Sequence, residues 1–422
     1  MKNVRVYPFQ GRNTIEVPSS KSELHRLLIA AALSDRETRI GCRAVSEDVR
    51  ATVRCLQAMG SRITEFQDAL VVAPIGADTS ASLPVLDCGE SGSTLRFLLP
   101  VAAALSGARF EGRGRLPQRP ISELKAEMEA HGVRFSEVAL PFSVSGRLTG
   151  GAFTLPGHVS SQYVTGLMLA SPLLGGSEIR IEGRLQSVDY VRMTADVMRR
   201  FGVQVEYSGS VIRVPGGQGY LTPGTVRAGS DWSGAAFPLC LGALGGPVKV
   251  QGLTRESLQG DRRIVDLLAQ AGADVKWAAD GCAARRGGLR GIEVDVSDIP
   301  DLAPVLAALL MHAEGRSALL NAERLRLKES DRLATTRDMV NALGGQAEIE
   351  GNSLIIQGRP DCRGGEVDGA GDHRIVMASA VGASACSGPS VITGADAVAK
   401  SWPSFFEDMI QLGGRFDVVD AG

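Results

Sequence analysis

The sequence predicts an α/β protein of two domains, each built from three repeats of about 70 residues. Three observations predict it. At 422 residues, 44% of them apolar, the chain is longer than one hydrophobic core usually serves and has enough apolar residues to fill two. A helical pattern ending in glycine recurs six times at nearly constant spacing. A second, more apolar helical pattern is interleaved with it and keeps the same step.

The first pattern is an amphipathic helix, a glycine and an alternating strand: CLQAMGSRI, EMEAHGVRF, VMRRFGVQV, LLAQAGADV, MVNALGGQA and MIQLGGRFD. Its first glycines are Gly60, Gly132, Gly202, Gly272, Gly344 and Gly413, separated by 72, 70, 70, 72 and 69 residues. Glycine takes the left-handed conformation that ends a helix, so the pattern reads as a helix stop leading into a strand of period two. The second pattern begins near Ser22, Gly92, Ser161, Asp231, Asp301 and Asp372. It is apolar almost all round, which predicts buried helices, while the first set, polar on one side, should lie outside. Each repeat thus holds one helix of each kind and several short strands, paired more within repeats than between them. A glycine-rich solenoid fits poorly, because solenoid periods run from about 20 to 50 residues.

Charge and composition exclude several classes of partner. Forty-five basic against 47 acidic residues leave a net charge of -2, so no global field recommends nucleic acid or an anionic membrane, and any anion site must be local. Residues 1–10 read as an amphipathic strand (Val4, Val6, Phe9) rather than a signal or transit peptide, which predicts a cytoplasmic protein. The longest apolar runs, such as 302–311, fall short of the roughly 18 residues of a membrane span. Seven cysteines without a C-x-x-C pair predict reduced, mostly buried thiols, and five histidines without H-x-x-x-H spacing give no support for a metal.

The helix starts are the candidate anion sites, because a helix N-terminus offers free N–H groups and a partial positive charge. The buried helices start at Lys21-Ser22, Gly92-Ser93, Ser160-Ser161, Asp231, Asp301 and Asp372-His373-Arg374. Counting back twelve or thirteen residues from the repeat glycines puts the other starts at Asp48, Arg119, Tyr190, Gly260, Arg332 and Lys400. Ordinary capping accounts for the Ser and Asp residues. It does not account for Lys21, Arg119, Arg332, Arg374 and Lys400, which oppose the helix dipole unless an anion arrives. In RLRLKESDRLA, Lys328, Glu329 and Arg332 set a carboxylate between two cations; a solvated charged turn is the bland alternative. In PSSKSELHR, hydroxyls and Lys21 precede a helix whose second turn carries Arg26, without the glycine-lysine pattern of a Walker A loop.

The strings SSKSELHR, ESGSTLRF, QRPI, VSSQY, QSVDY, DIPDL, LKESDR, GDHRIVM and AKSWPSF run in order along nearly the whole chain. Together they resemble the enolpyruvyl transferase family, and within it the 5-enolpyruvylshikimate-3-phosphate synthases. The resemblance implies a two-domain inverted α/β barrel of six βαβαββ-type repeats, three per domain, with helices within and sheets outside. It implies lobes of residues 18–228 and of 1–17 with 229–422, closing on an active site in the cleft between them. It also implies transfer of the enolpyruvyl (1-carboxyvinyl) group of phosphoenolpyruvate to the 5-hydroxyl of shikimate 3-phosphate, in the pathway to chorismate and aromatic amino acids. No cofactor, a monomer, and glyphosate as an inhibitor go with it.

Carried over onto this sequence, Lys21, Ser22, Arg26, Ser160, Ser161, Gln162, Ser187, Tyr190, Asp301 and Lys328 resemble the shikimate 3-phosphate site. Lys21, Gly92, Arg119, Gln162, Arg332, Arg374 and Lys400 resemble the phosphoenolpyruvate site. Asp301 is implied as base toward the hydroxyl and Glu329 as acid toward C3, with Lys21 and Lys328 assisting. Two phosphates and two carboxylates bring roughly -5 to -6 of charge against seven of these cations, so an empty cleft is expected to repel its own lobes. Glu90 and Arg324 stand where Asn is frequent in the family, which bears on first-contact detail and inhibitor sensitivity. A UDP-N-acetylglucosamine enolpyruvyl transferase is the nearest alternative, but the loop GRGRLPQR lacks that family's reactive cysteine. A non-catalytic anion-binding relative is the other, and it would be expected to lack Asp301 or Glu329.

Overall fold

The spaced glycines end six helices. Gly60, Gly132, Gly202, Gly272, Gly344 and Gly413 have φ of 100, 94, 80, 93, 90 and 96°. That left-handed conformation accepts glycine without a Cβ penalty and turns the chain out of the helix. The structure, a computed structural model, describes residues 2–76, 83–158 and 160–419. By its contacts the chain divides into two compact units, Ser19–Gly229 and Met1–Pro18 with Ser230–Gly422.

The first unit carries α1 (Lys21–Ala32), α2 (Glu47–Ala58), α3 (Gly92–Leu105), α4 (Ser122–Ala130), α5 (Ser161–Ala170) and α6 (Val188–Arg200). The second carries α7 (Trp232–Leu244), α8 (Ile264–Gln270), α9 (Ala303–Leu310), α10 (Arg332–Ala342), α11 (His373–Ser384) and α12 (Phe405–Gln411). Odd-numbered helices are the apolar ones and are sequestered: every residue of α7, α9 and α11 is buried. Even-numbered helices bury one face only, as in α6, where Val191, Thr194, Ala195 and Met198 face inward and Arg199 and Arg200 outward.

Among the described residues the strands form six four-stranded sheets, one per repeat. Each sheet has one parallel pair and two antiparallel ones, and in four of the six the parallel strands flank the buried helix, as where Gly151–Pro156 pairs with Ser177–Glu182 and the latter antiparallel with Val211–Val214. Parallel pairing across a helix is what a βαβ crossover produces. Along Ser177–Glu182, Ser177, Ile179 and Ile181 are buried while Arg180 and Glu182 are exposed, so the sheet turns one face to the helices and the other to water. In each unit the helices therefore lie within and the sheets outside.

Two strands are exchanged along the chain. Thr14–Glu16 pairs with Val248–Gln251, and Thr225–Arg227 takes the corresponding place beside Thr38–Gly41. Asn3–Val6 lies between Ser390–Thr393 and Phe416–Val419, antiparallel to both, and so completes the last repeat. Each unit has its own core, one around Leu27, Phe97, Phe110, Tyr163 and Met198, the other around Trp232, Phe237, Leu306, Leu333 and Phe405. All seven cysteines are buried free thiols. Among the described residues no helix is long and apolar enough to cross a membrane.

Candidate active site

In the α7–α12 unit, three helix starts bring charge to one place. Asp331 caps α10 by accepting from Ala334 N at 3.1 Å, which fixes Arg332 as the first helical residue. Asp372 caps α11 by accepting from Arg374 N at 2.9 Å. Asp301 lies in the short turn Pro300–Leu302 that leads into α9. The Arg332 guanidinium, 1% exposed, sits at the centre. Its Nε donates to Asp372 Oδ2 at 2.8 Å, its Nη1 to Asp301 Oδ1 at 2.8 Å, and its Nη2 to Glu329 Oε2 at 2.6 Å and Asp372 Oδ1 at 3.2 Å. Arg374 Nη2 donates to Asp301 Oδ2 at 3.2 Å and to Ser233 Oγ at 2.8 Å. Lys328 Nζ is 3.5 Å from Asp301 Oδ1, and Lys400 Nζ donates to the carbonyl of Gly371, beside Asp372, at 2.7 Å.

These contacts set the protonation states. Burial alone would raise the Asp301 carboxyl, but Arg374, Lys328 and Arg332 outweigh it and hold the group well below the usual carboxylate range. Burial opposes charge on Arg332 too, yet Asp372, Glu329 and Asp301 raise it above the ordinary guanidinium value. Lys328 goes the other way: burial, helped by Arg332 and Arg324, brings it down to about 8 against the pull of Asp301. The cluster thus holds an ionised carboxylate, fixed guanidinium forks and an amine that titrates near neutrality, the groups needed to hold anions and move protons.

In the α1–α6 unit, Ser20 caps α1 by accepting from Glu23 N, and Lys21, its first residue, reaches Asp48 Oδ2 of α2 at 2.8 Å. Arg26, one turn on, is 2% exposed. It is held by Ser22 O at 2.5 Å, Thr194 Oγ1 at 2.8 Å, Tyr190 O at 3.1 Å and Thr165 Oγ1 at 3.3 Å, and burial lowers it to about 10. Gly92 opens α3 under the Ser91 cap, and a Cβ there would lie 2.7 to 2.9 Å from Arg119 Nη1, Cζ and Nη2. The missing side chain is where the Arg119 guanidinium fits. Ser160 caps α5 by accepting from Gln162 N at 3.2 Å; Ser161 is its first residue, and Gln162 Nε2 donates to Ser93 Oγ at 3.0 Å. Ser187, before α6, holds φ 57° and ψ 42°, a left-handed conformation that costs a non-glycine residue of order 1–3 kcal/mol and tends to mark functional positions. Tyr190 follows in the first turn of α6, its ring 5.9 Å from the Arg26 guanidinium carbon.

Two sequence expectations need correcting. Arg119 and Lys400 do not start helices. Arg119 is extended, with φ -76° and ψ 136°, because Pro120 follows it and disfavours the helical region; α4 begins three residues later, at Ser122. Lys400 ends the turn Ala395–Lys400, and α12 begins only at Phe405, beyond Pro403. The cations that do sit at helix starts are matched by side-chain carboxylates, Lys21 by Asp48, Arg332 by Asp301, Glu329 and Asp372, and Arg374 by Asp301. Their cost against the helix dipole is offset within the protein.

Sequence reasoning treated Asp48 only as a helix start and Asp372 only as a cap, and it passed over Arg96 and Ser233. Arg96 carries the one signal that could have found it: a lone cation, 3% exposed, on an otherwise apolar helix four residues past Gly92. The departure Glu90 lies against the backbone of Gly114, where a Cβ would collide with its carboxylate; Arg324 Nη1 is 3.5 Å from Ser297 O.

Fold and geometry define a two-unit α/β repeat protein whose helix starts pair carboxylates with cations fit for small anionic substrates. The chain matches the model of the EPSP synthase (3-phosphoshikimate 1-carboxyvinyltransferase) family over residues 9–409, and it belongs to that family. It is 36% identical over 434 residues to the 3-phosphoshikimate 1-carboxyvinyltransferase of Clostridium novyi, with 100% of each chain covered. To the enzyme of that name from Clostridium kluyveri it is 39% identical over 429 residues, again with 100% of each covered. Among solved structures, EPSP synthase from Acinetobacter baumannii matches with a TM-score of 0.83 at 24% identity over 100% of both chains. An enolpyruvyl transferase from Streptomyces tendae matches with a TM-score of 0.79 at 20% identity, over 100% of this chain and 99% of that one. These two likenesses are of fold, and they agree with the fold class read from the repeats.

Proposed function

We propose that the chain transfers the enolpyruvyl group of phosphoenolpyruvate to the 5-hydroxyl of shikimate 3-phosphate and releases phosphate. The observation that carries this reading is the joint hold of Arg332 on Asp301 and Glu329, with Lys328 alongside, in a chain of the EPSP synthase family. Lys21, Ser22, Arg26, Ser160, Ser161, Gln162, Ser187, Tyr190, Asp301 and Lys328 serve shikimate 3-phosphate. Lys21, Gly92, Arg119, Gln162, Arg332, Arg374 and Lys400 serve phosphoenolpyruvate.

The chemistry needs two proton movements. The hydroxyl oxygen attacks C2 as its proton passes to Asp301, and C3 takes a proton from Glu329, giving a tetrahedral adduct. The carbon–oxygen bond to phosphate then breaks, C3 gives a proton back, and the enol ether is left. An arriving carboxylate or phosphate competes for Arg332 and Arg374 with the carboxylates they already hold. Binding therefore loosens the hold on Asp301 and Glu329, and it raises the proton affinity of Asp301 at the moment substrate is in place. Lys21 and Lys328 stabilise charge developing on the bridging oxygen and the leaving phosphate.

Glyphosate, an amine carrying a carboxylate and a phosphonate, is an expected inhibitor for the same cations. The protein is expected to act as a monomer in the cytoplasm. Phosphate release is the test: phosphoenolpyruvate with shikimate 3-phosphate should give it, and phosphoenolpyruvate with UDP-N-acetylglucosamine should not. Release with the sugar nucleotide alone, or with neither acceptor, overturns the reading.

A further inference from the structure

We propose that Arg96 is a positioning residue that fixes which end of the Gln162 amide faces the ligand and moors the segment carrying Arg119. The inference rests on the reading that Gln162 and Arg119 hold phosphoenolpyruvate. Arg96 lies on α3 four residues after Gly92, so the two share a helix face. Its side chain crosses to two other elements. Nη1 donates to Gln162 Oε1 at 2.7 Å, and Nη2 to the carbonyl of Pro120 at 2.8 Å. The Tyr163 hydroxyl donates to that same carbonyl at 2.6 Å, and the Arg96 guanidinium carbon lies 5.7 Å from the Tyr163 ring centroid.

The chemistry of a guanidinium makes the first contact directional. It only donates, so it can face only the oxygen of the Gln162 amide. The amide nitrogen is turned the other way, where it donates one hydrogen to Ser93 Oγ at 3.0 Å and keeps a second for a ligand oxygen. Gln162 is thereby made a donor toward the start of α3, where Gly92 leaves room for Arg119. An amide free to rotate would have to be turned by the anion on each binding event, at a cost in affinity. The second contact works on the backbone: with two donors on the Pro120 carbonyl, the residue preceding it cannot shift far without straining a part-buried hydrogen bond.

Arg96→Lys keeps the charge but cannot reach both acceptors with a planar fork. It should raise KM for phosphoenolpyruvate by about tenfold to a hundredfold, as expected for a lost charge-assisted hydrogen bond, and raise KM for shikimate 3-phosphate less, because Gln162 serves both substrates whereas Arg119 serves phosphoenolpyruvate alone. Tyr163→Phe removes one of the two donors to Pro120 and should raise the same KM by several-fold with the Gln162 amide undisturbed. A readout independent of activity separates this inference from the functional one. The side-chain amide nitrogen resonance of Gln162, assigned by its loss in Gln162→Glu, should move in Arg96→Lys and stay in Tyr163→Phe. If wild-type protein releases no phosphate, the functional reading fails while the resonance still decides the role of Arg96. An unmoved resonance in Arg96→Lys, or equal rises in both KM values, overturns the proposal.

Discussion

Asp372 grips Arg332 along one edge of its guanidinium, with Nε on Oδ2 at 2.8 Å and Nη2 on Oδ1 at 3.2 Å. The carboxylate is fully buried and fixed by its place at the start of α11, and Ser330 Oγ donates to it at 3.0 Å. A guanidinium held on that edge can turn only its remaining N–H groups toward Asp301, Glu329 or an incoming anion. Asp372 is thus the post against which the central cation is aimed.

Asp372→Asn keeps a capping oxygen but removes the charge that compensates Arg332. Breaking a buried ion pair on one side costs about 3–5 kcal/mol. For a unit of this size that is a melting temperature lower by roughly 6–12 °C at the small end of the range. Calorimetry should record that drop, and KM for phosphoenolpyruvate should rise at least tenfold. A variant that melts like the parent would mean that Arg332 is supported by its other partners.

Lys328 gives a pH signature. Burial lowers its pKa from 10.5 to about 8. Between those values the unfolded chain holds a proton that the native one has released, so this group makes stability rise with pH across that window. Anion binding runs opposite, because the ammonium is lost above about 8. The kcat/KM for phosphoenolpyruvate should fall with unit slope above about pH 8, and Lys328→Arg, charged throughout, should remove that limb. With an anion bound beside it the amine keeps its proton longer, so the break in kcat should come at higher pH than the break in kcat/KM.

Gly92→Ala tests the fit of Arg119. The added methyl would meet the far end of a flexible side chain rather than backbone, so the fold should tolerate it and the melting temperature should change little. Arg119 must swing away, which should raise KM for phosphoenolpyruvate about tenfold, the scale of one charge-assisted hydrogen bond. Steady-state kinetics would show KM for shikimate 3-phosphate unchanged; a shared rise would point to a wider disturbance of α3.

What was legible in the sequence and what was not follows from the range of each interaction. The helix stops were legible because a positive φ selects glycine within one turn, and the buried helices because their apolar character is continuous along the chain. The helix starts expected at Arg119 and Lys400 fall later, at Ser122 and Phe405, because Pro120 and Pro403 delay helix formation by several residues, a local effect that a repeat count does not see. The distant partners of the cations were hidden for a different reason. Asp48 lies 27 residues from Lys21, Asp372 lies 40 from Arg332, and Gln162 lies 66 from Arg96, so no window of sequence contains both partners.

Glu329→Gln separates proton transfer from binding. The carboxylate accepts from Arg332 Nη2 at 2.6 Å, so neutralising it frees part of a guanidinium that phosphoenolpyruvate needs. Affinity for phosphoenolpyruvate, read by calorimetric titration, should hold or improve, while kcat falls about a hundredfold to ten-thousandfold, the usual share of a positioned general acid. Near-normal turnover would take Glu329 out of the proton path.

Ser187→Gly sets stability against function at one residue. Ser187 is 2% exposed and sits in a left-handed conformation just before α6, close in sequence to Tyr190. Glycine adopts that conformation at no steric cost, so removing the Cβ relieves about 1 kcal/mol of strain, less what glycine gains in unfolded freedom. The melting temperature should hold or rise by a few degrees. If the strain is kept because the hydroxyl serves shikimate 3-phosphate, KM for that substrate should rise about tenfold with KM for phosphoenolpyruvate unchanged. A variant equally stable and equally active would mean that the conformation is imposed by the chain's entry into α6 alone and that Ser187 does not touch the substrate.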